Sequence, residues 1–239
     1  KRQLLKKHRI TARKIQGVSG TKMISFLKGL SVKPSWIVTD HYELSAMWER
    51  AVRPYVERLA AFDDADGRRH DCNLIINAAL SPMKGRSWYR SLVSPGTTLL
   101  LGPKYALPDP LLAMRRGVPR NLKTVRSVCF FLGGGVSPAT FRRYLQGVLG
   151  SVPATVQRVM CIPPSGMKGA AKLSSDRRLS VVRDYARLSE VLGSVDLFVG
   201  SGGAISYDRT AAGVPGVVVS MAPNQVDLCR YLAKRGTQI

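Results

Sequence analysis

Val195-Asp196-Leu197-Phe198-Val199-Gly200-Ser201-Gly202-Gly203 is the stretch on which the reading of the fold turns. A short apolar run rich in β-branched residues reads as a buried strand, and it ends in small residues where a side chain would be in the way. A helical pattern follows over residues 204–212. Strand, glycine turn and helix in that order are the repeating unit of a parallel α/β sheet. Glycines permit positive φ and let a ligand come close to the backbone. The start of the next helix offers unpaired N–H groups and about half a unit of positive charge. The combination suits a diphosphate.

Gly133-Gly134-Gly135 is the same device earlier in the chain, after an apolar strand over 125–132 and before a helix over 139–149, with Pro138 near the helix start. There a missing N–H costs nothing. Two glycine turns at the C-terminal ends of strands mark the ligand edge of an open sheet. Gly134, Gly135, Gly202 and Gly203 are therefore the expected phosphate contacts.

Working outward, strands are expected at 155–162, 179–182 and 216–220, with a basic, small-residue loop at 165–175 and a helix at 184–192. Gly213-Val214-Pro215 breaks the helix after the main turn, and Asn224-Gln225 precedes a final helix. Upstream, Trp36-Ile37-Val38-Thr39 reads as a strand ending at Asp40. A helix over 45–58 follows, with Met47, Trp48, Ala51, Val52 and Tyr55 on one face and Pro54 as a blemish. Further strands are expected at 59–62, 74–76 and 98–101. Residues 102–121 hold four prolines and two glycines and read as a connection. The chain thus divides into a basic segment 1–35, an α/β lobe with its connection 36–121, and a Rossmann-like lobe 122–239.

Composition narrows the function classes. The 239 residues are 45% apolar, enough for a packed core. No apolar run approaches the roughly 20 residues of a membrane span. Cys72, Cys129, Cys161 and Cys229 form no CxxC pair, so zinc-ribbon spacing is absent. They read as buried free thiols in a reducing compartment, cytoplasm or an organellar matrix. No metal and no cofactor is expected. The patterns GxSxG, HExxH and the P-loop lysine are missing, which argues against a serine esterase, a zincin and a P-loop NTPase.

Charge is the unusual feature. Thirty-seven Lys+Arg against fifteen Asp+Glu leave +22. Residues 1–39 carry ten basic side chains and no acid, and residues 110–175 again carry no acid. Such a balance points to a polyanionic partner or to a solvated basic face. For a nucleic-acid partner the contacts would be Lys6, Lys7, Arg9, Arg13, Lys14, Arg115, Arg116, Arg120, Arg142 and Arg143. Among the acids, Asp63, Asp64 and Asp66 with Arg68 and Arg69 read as a salt-bridged, capped turn. His8 and His70 lack a ligand-spaced partner and read as structural or exposed. Asp40-His41-Tyr42, at a strand end, reads either as a sugar or proton-transfer site or as a helix cap with an incidental aromatic.

Several segments taken together resemble a known family. They are Ile37-Val38-Thr39-Asp40-His41-Tyr42 with Trp48-Glu49, then Phe62-Asp63-Asp64 with Arg69-His70-Asp71-Cys72-Asn73-Leu74. Leu101-Gly102-Pro103-Lys104-Tyr105-Ala106-Leu107 follows, then Val199-Gly200-Ser201-Gly202-Gly203, Gly213-Val214-Pro215 and Asn224-Gln225. The set resembles the UDP-sugar hydrolases of the pseudaminic acid pathway, which release UDP from a diacetamido-trideoxy-altrose nucleotide and are related to the peptidoglycan glycosyltransferases. The resemblance implies an α/β protein of the GT-B type, two Rossmann-like lobes with mostly parallel sheets, the N-terminal lobe being incomplete here.

It also implies Tyr42 in the sugar pocket, Asn224 at the reacting sugar with Gln225 beside it, Gly202 and Gly203 at the diphosphate, and Asp208 at the uridine. In the family a water attacks the anomeric carbon, with a histidine as base in an N-terminal Gly-x-Gly-His turn. Gly17-Val18-Ser19-Gly20 has no histidine after it. Ser137 stands where the family usually has an acid, and Asp208 where it has a glutamate. Two functions are therefore expected: a UDP-sugar hydrolase, or an inactive homologue reused as a basic RNA-binding or structural subunit among the RNA and proteins of a ribonucleoprotein such as an organellar ribosome.

Overall fold

The computed structural model describes residues 20–63, 67–79, 85–113, 124–169, 173 and 175–239. Among these, 20–78 and 85–101 form one compact unit, and 102–239 with Ala79 form another.

The N-terminal unit is a parallel sheet of β1 (Trp36–Thr39), β2 (Arg58–Phe62), β3 (Leu74–Asn77) and β4 (Thr98–Leu101), paired in that order. Its helices are α1 (Gly20–Lys28), α2 (Ala46–Val52) and α3 (Gly85–Arg90). Leu59, Ala60, Ala61, Ile75 and Leu99 fill the sheet interior, each almost fully buried. The helix expected over 45–58 stops at Val52, because Pro54 has no N–H to donate and its ring would strike the preceding turn. Pro54 instead occupies the start of a 3-10 turn, Arg53–Tyr55, and Arg58 opens β2. Ser45, not Asp40, is the N-cap position of α2.

The C-terminal unit is a five-stranded parallel sheet: β5 (Ser127–Phe131), β6 (Arg158–Cys161), β7 (Leu179–Val181), β8 (Leu197–Ser201) and β9 (Gly216–Val219), in the order β7-β6-β5-β8-β9. Every residue of central β5 is buried, as expected of a parallel strand covered on both faces. α5 (Pro138–Ser151) places Phe141, Leu145 and Leu149 on one face, at helical spacing, against Val128, Phe130 and Val159. Ser137 caps it, its hydroxyl accepting from the Thr140 N–H at 3.1 Å.

α6 (Leu188–Ser194), α7 (Ile205–Ala211) and α8 (Val226–Lys234) complete the unit. Residues 184–187, expected as helix, form a 3-10 turn Tyr185–Arg187 capped by Asp184. The segment expected as a connection carries a 3-10 turn, Pro103–Tyr105, and a short helix α4 (Pro110–Ala113). Leu112 of α4 lies in the same core as Leu192 and Ile205.

The main glycine turn is shorter than its sequence suggests. Gly200 and Ser201 belong to β8 and pair with β5 and β9. A Cβ on Gly200 would stand 1.9 Å from the Phe131 carbonyl oxygen, so glycine is required there by strand packing. All four cysteines are free thiols, and Cys72, Cys129 and Cys161 are buried. Among the described residues no helix is long and apolar enough to cross a membrane.

Candidate functional site

In the C-terminal unit the strand order reverses between β5 and β8, since the chain moves from β5 outward to β7 and then returns to the other side of β5. Open sheets bind ligands outside the C-terminal ends of the strands at such a switch. A cleft of about 440 Å³ lies there. Gly133, Gly135 and Val136 line it after β5, Ser201, Gly203 and Ala204 at the end of β8, and Met221 and Gln225 after β9, with Tyr185 beside them.

The glycines play different parts. Gly133 has φ of 93°, which a side chain would strain. A Cβ on Gly135 would meet nothing within 4 Å, so this backbone is bare toward the cleft. Gly203 is nearly as open, with the Gln225 amide nitrogen 3.5 Å from where its Cβ would stand. Gly202 is not: its Cβ would lie 2.0 Å from the Cys229 sulfur of α8, and its N–H donates to the Val219 carbonyl at 3.2 Å. Gly202 thus lets α8 close over the turn.

Polar groups are few and placed at the rim. The Ser201 hydroxyl is buried at the cleft wall. The Gln225 side-chain oxygen accepts from the Met221 N–H at 2.9 Å, which leaves its amide nitrogen turned toward Gly203. The Tyr185 ring packs edge-on against Phe131 with centroids 5.5 Å apart. Burial, with the Asp208 carboxylate nearby, pushes the Tyr185 hydroxyl above the usual phenol range.

Gly135, Gly203 and Gln225 therefore come together as expected sites in one cleft. Gly134 lies between two lining residues, and Asn224 is exposed on the 3-10 turn Pro223–Gln225. Asp208 lies apart from the cleft lining: its carboxylate accepts the Asp109 N–H at 2.9 Å, ahead of α4. Burial and the Asp109 charge raise its pKa. Sequence reasoning did not single out Tyr185 or Met221. Each follows a strand end, β7 and β9, and that position was the signal available.

In the N-terminal unit, Tyr42 sits on the turn after β1 and is 63% exposed. Behind that turn lies a buried ionic cluster that no spacing rule marks. Glu49, Asp63 and His70 are each almost fully buried. The His70 Nδ1 bonds a Glu49 oxygen at 2.7 Å, and its Nε2 faces Asp63 at 3.7 Å, a charge contact rather than a hydrogen bond. Burial alone would lower the imidazole pKa, but the two carboxylates outweigh it and hold it up at about 9. The Asp63 carboxyl is held low against its burial by His70, Tyr89 and Arg68. The Tyr89 hydroxyl donates to Asp63. The expected Asp63–Arg68 salt bridge is present, whereas Asp64 and Asp66 lie outside the described residues.

Glu49, His70 and Cys72 also bring three ligand-type atoms within 4.8 Å of one another. Both Glu49 oxygens are already engaged, by His70 and by the Asp71 N–H. The Cys72 thiol, pushed up to about 12 by burial, donates to the Leu74 carbonyl. Ion pairing accounts for this cluster.

Of the expected nucleic-acid contacts, Arg143 is exposed on α5 over the Tyr144 ring, and Arg142 is half-buried near Gly169. Lys6, Lys7, Arg9, Arg13, Lys14, Arg115, Arg116 and Arg120 lie outside the described residues.

No protein-family model matches the sequence, and no curated protein does. Solved structures do match. MurG of Acinetobacter baumannii aligns at a TM-score of 0.54 and 15% identity, over 99% of this chain and 72% of its own. A protein of Listeria monocytogenes assigned as a UDP-N-acetylglucosamine 2-epimerase aligns at 0.55 and 13% identity, over 96% of this chain and 71% of its own. The glycosyltransferase of kitacinnamycin aligns at 0.46 and 16% identity, over 69% of this chain, which spans only 40% of that protein. The MurG and Listeria alignments show an α/β fold with Rossmann-like units of the GT-B type, as the sequence leads one to expect.

Proposed function

We propose that the chain is a UDP-sugar hydrolase-like protein whose C-terminal unit holds UDP in the glycine-lined cleft. One observation carries the reading: both glycine turns open into the cleft at the point where the strand order reverses. The diphosphate approaches bare backbone at Gly134-Gly135 and Gly203, with the Ser201 hydroxyl and the Gln225 amide as further donors. The description of the Listeria protein, which names a UDP-amino sugar, agrees with this choice of ligand. Asn224, on the turn that carries Gln225, meets the sugar, and the family resemblance also assigns Tyr42 a sugar contact. Water attacks the anomeric carbon through an oxocarbenium-like state, and donors fixed around the departing diphosphate stabilise the charge it gathers.

Titration calorimetry tests the reading. UDP binds in the micromolar range, and Gly203→Val abolishes binding with the fold retained, because that position has room for a side chain only by filling the cleft. Failure of the unaltered chain to bind UDP would sink it. The +22 charge favours a second reading, an inactive homologue serving as a basic RNA-binding subunit, since a cradle for diphosphate also suits backbone phosphate.

A further inference from the structure

β1 stands at the edge of the N-terminal sheet, with β2 as its neighbour. Side chains two apart on a strand share a face, so Trp36 and Val38 point the same way. They are 43% and 59% exposed. A strand of a parallel sheet is ordinarily covered on both faces, as β5 is. An indole and a branched aliphatic chain left open side by side mark a surface that meets something.

The surroundings of that indole are basic. Arg58 is the lateral neighbour of Trp36 in β2, and its guanidinium lies 5.6 Å from the centroid of the Trp36 ring. The N–H groups of Glu57 and Arg58 donate to the carbonyls of Pro34 and Ser35 at 3.0 and 3.1 Å, which ties the loop carrying Lys33 to the same corner. α1 packs against the turn Arg53–Tyr55, and the Lys28 ammonium lies 5.6 Å from the centroid of the Tyr55 ring. Lys28, Lys33 and Arg58 are all exposed. Residues 20–39 carry three lysines and no acid, and Glu57 is the one acid of residues 53–58. Aromatic rings and cations thus alternate at the N-terminal end of β1 and β2, the end opposite Tyr42.

Three kinds of partner meet a positive surface with an open ring. An acidic protein would pair with the cations and leave the ring no particular role. A lipid surface would take up the apolar side chains, but a guanidinium held at the face of the indole opposes its entry into hydrocarbon. A single nucleic-acid strand uses both features at once: a base stacks on the ring and its neighbouring phosphates meet the cations. A duplex keeps its base faces covered, and RNA is the nucleic acid that commonly presents them open.

We infer that this corner of the N-terminal unit binds single-stranded RNA, with a base stacked on Trp36 and the flanking phosphates on Lys28, Lys33 and Arg58. The inference rests on the RNA-binding reading of the chain and adds to it a place and a strandedness that net charge does not supply. It makes no use of the glycine-lined cleft.

Fluorescence anisotropy of a labelled oligouridine of about twelve nucleotides, titrated with the full chain, supplies the test. The single strand binds more tightly than an RNA duplex of equal length at the same salt. Trp36→Ala weakens its binding about tenfold, the loss expected for one stacked base. Trp36→Phe keeps a ring and most of the affinity, but it abolishes the quenching of tryptophan emission that the oligouridine causes in the unaltered protein. Lys33→Gln with Arg58→Gln lowers the slope of log affinity against log salt by about 1.4, two single-strand phosphates at about 0.7 each. RNA binding that Trp36→Ala leaves unchanged, or quenching that survives Trp36→Phe, overturns the site while leaving the RNA-binding reading intact. Equal affinity for duplex and single strand overturns the stacking. Failure of the unaltered chain to bind either RNA overturns both the site and the reading. Vesicles of three parts phosphatidylcholine to one part phosphatidylserine are the control, and a Trp36-dependent blue shift on them without any response to oligouridine assigns the surface to lipid and overturns the inference.

Discussion

His70 is an imidazole buried between Glu49 and Asp63, and its proton is what makes two buried carboxylates tolerable there. An unpaired charge at such depth costs several kcal/mol, which is why the pair of acids recruits both His70 and Arg68. The sign of the pH dependence follows. The folded-state pKa stands at about 9, above the ordinary value of 6.5. The contribution to stability is therefore complete below pH 6.5 and is lost as pH rises through about 9. Asp63 acts oppositely: its lowered pKa contributes above the ordinary value of 3.8 and is lost on further acidification. Urea unfolding from pH 5 to 9.5 should show stability falling by up to about 1.4 kcal/mol per pH unit on the alkaline side. His70→Gln should be less stable at pH 6 and should lack that alkaline decline. An unchanged slope in the variant would assign the decline to other groups.

At the scale of elements, the contact of α8 with the end of β8 decides what the glycine turn tolerates. Gly202→Ala would force its methyl into the Cys229 sulfur, and overpacking of this kind costs about 1–3 kcal/mol. Gly203→Ala meets only the end of the Gln225 side chain and should unfold close to the unaltered protein. Thermal unfolding of the two variants separates a packing glycine from a ligand-facing one. If Gly202→Ala is as stable as Gly203→Ala, α8 is not held as described.

The same contrast shows what could be read from sequence. The strands were legible because buried parallel strands are apolar runs, as in Val128 to Phe131 and Ile75. The glycine turns were legible in place but not in kind. A glycine demanded by Phe131 or by Cys229 looks like one left bare for a ligand, until the neighbours from distant segments are known. The helix over 45–58 was overextended because its apolar spacing runs on past Pro54. Of the ionic cluster only the Asp63–Arg68 pair could be read. Glu49, Asp63, His70 and Tyr89 have no common spacing, and only the sheet brings them together. The one signal available was Glu49 itself, a carboxylate among Ala46, Trp48 and Val52 on the buried side of α2.

Over the whole molecule, an excess of +22 sets how the protein meets polyanions. Binding driven by backbone phosphates releases counterions and weakens steeply with salt. If the basic reading holds, affinity for a mixed-sequence RNA duplex falls by at least about tenfold between 50 and 200 mM salt, and Arg142→Glu with Arg143→Glu lowers it further. Salt-insensitive or undetectable binding rejects that reading. UDP affinity changes little over the same range, since one diphosphate displaces few ions.

The link between β5 and β8 bears on how the C-terminal unit is made. The Asp196 carboxylate accepts the N–H groups of Arg126 and Ser127 at 3.0 and 2.8 Å, and the Ser127 hydroxyl at 2.8 Å. The central strand is thus secured on that side by a residue synthesised long after it, beyond two further strands and the two helices α5 and α6. During translation the edge of β5 that pairs with β8 stays open until residues 196–201 arrive, a loop closure that must precede its reward. Helix α5 can cover Val128 and Phe130 soon after they are made, whereas Cys129 and Phe131 wait for α6 and α7, so chaperone capture and misassembly are expected at that face and at the open strand edge rather than in the finished fold.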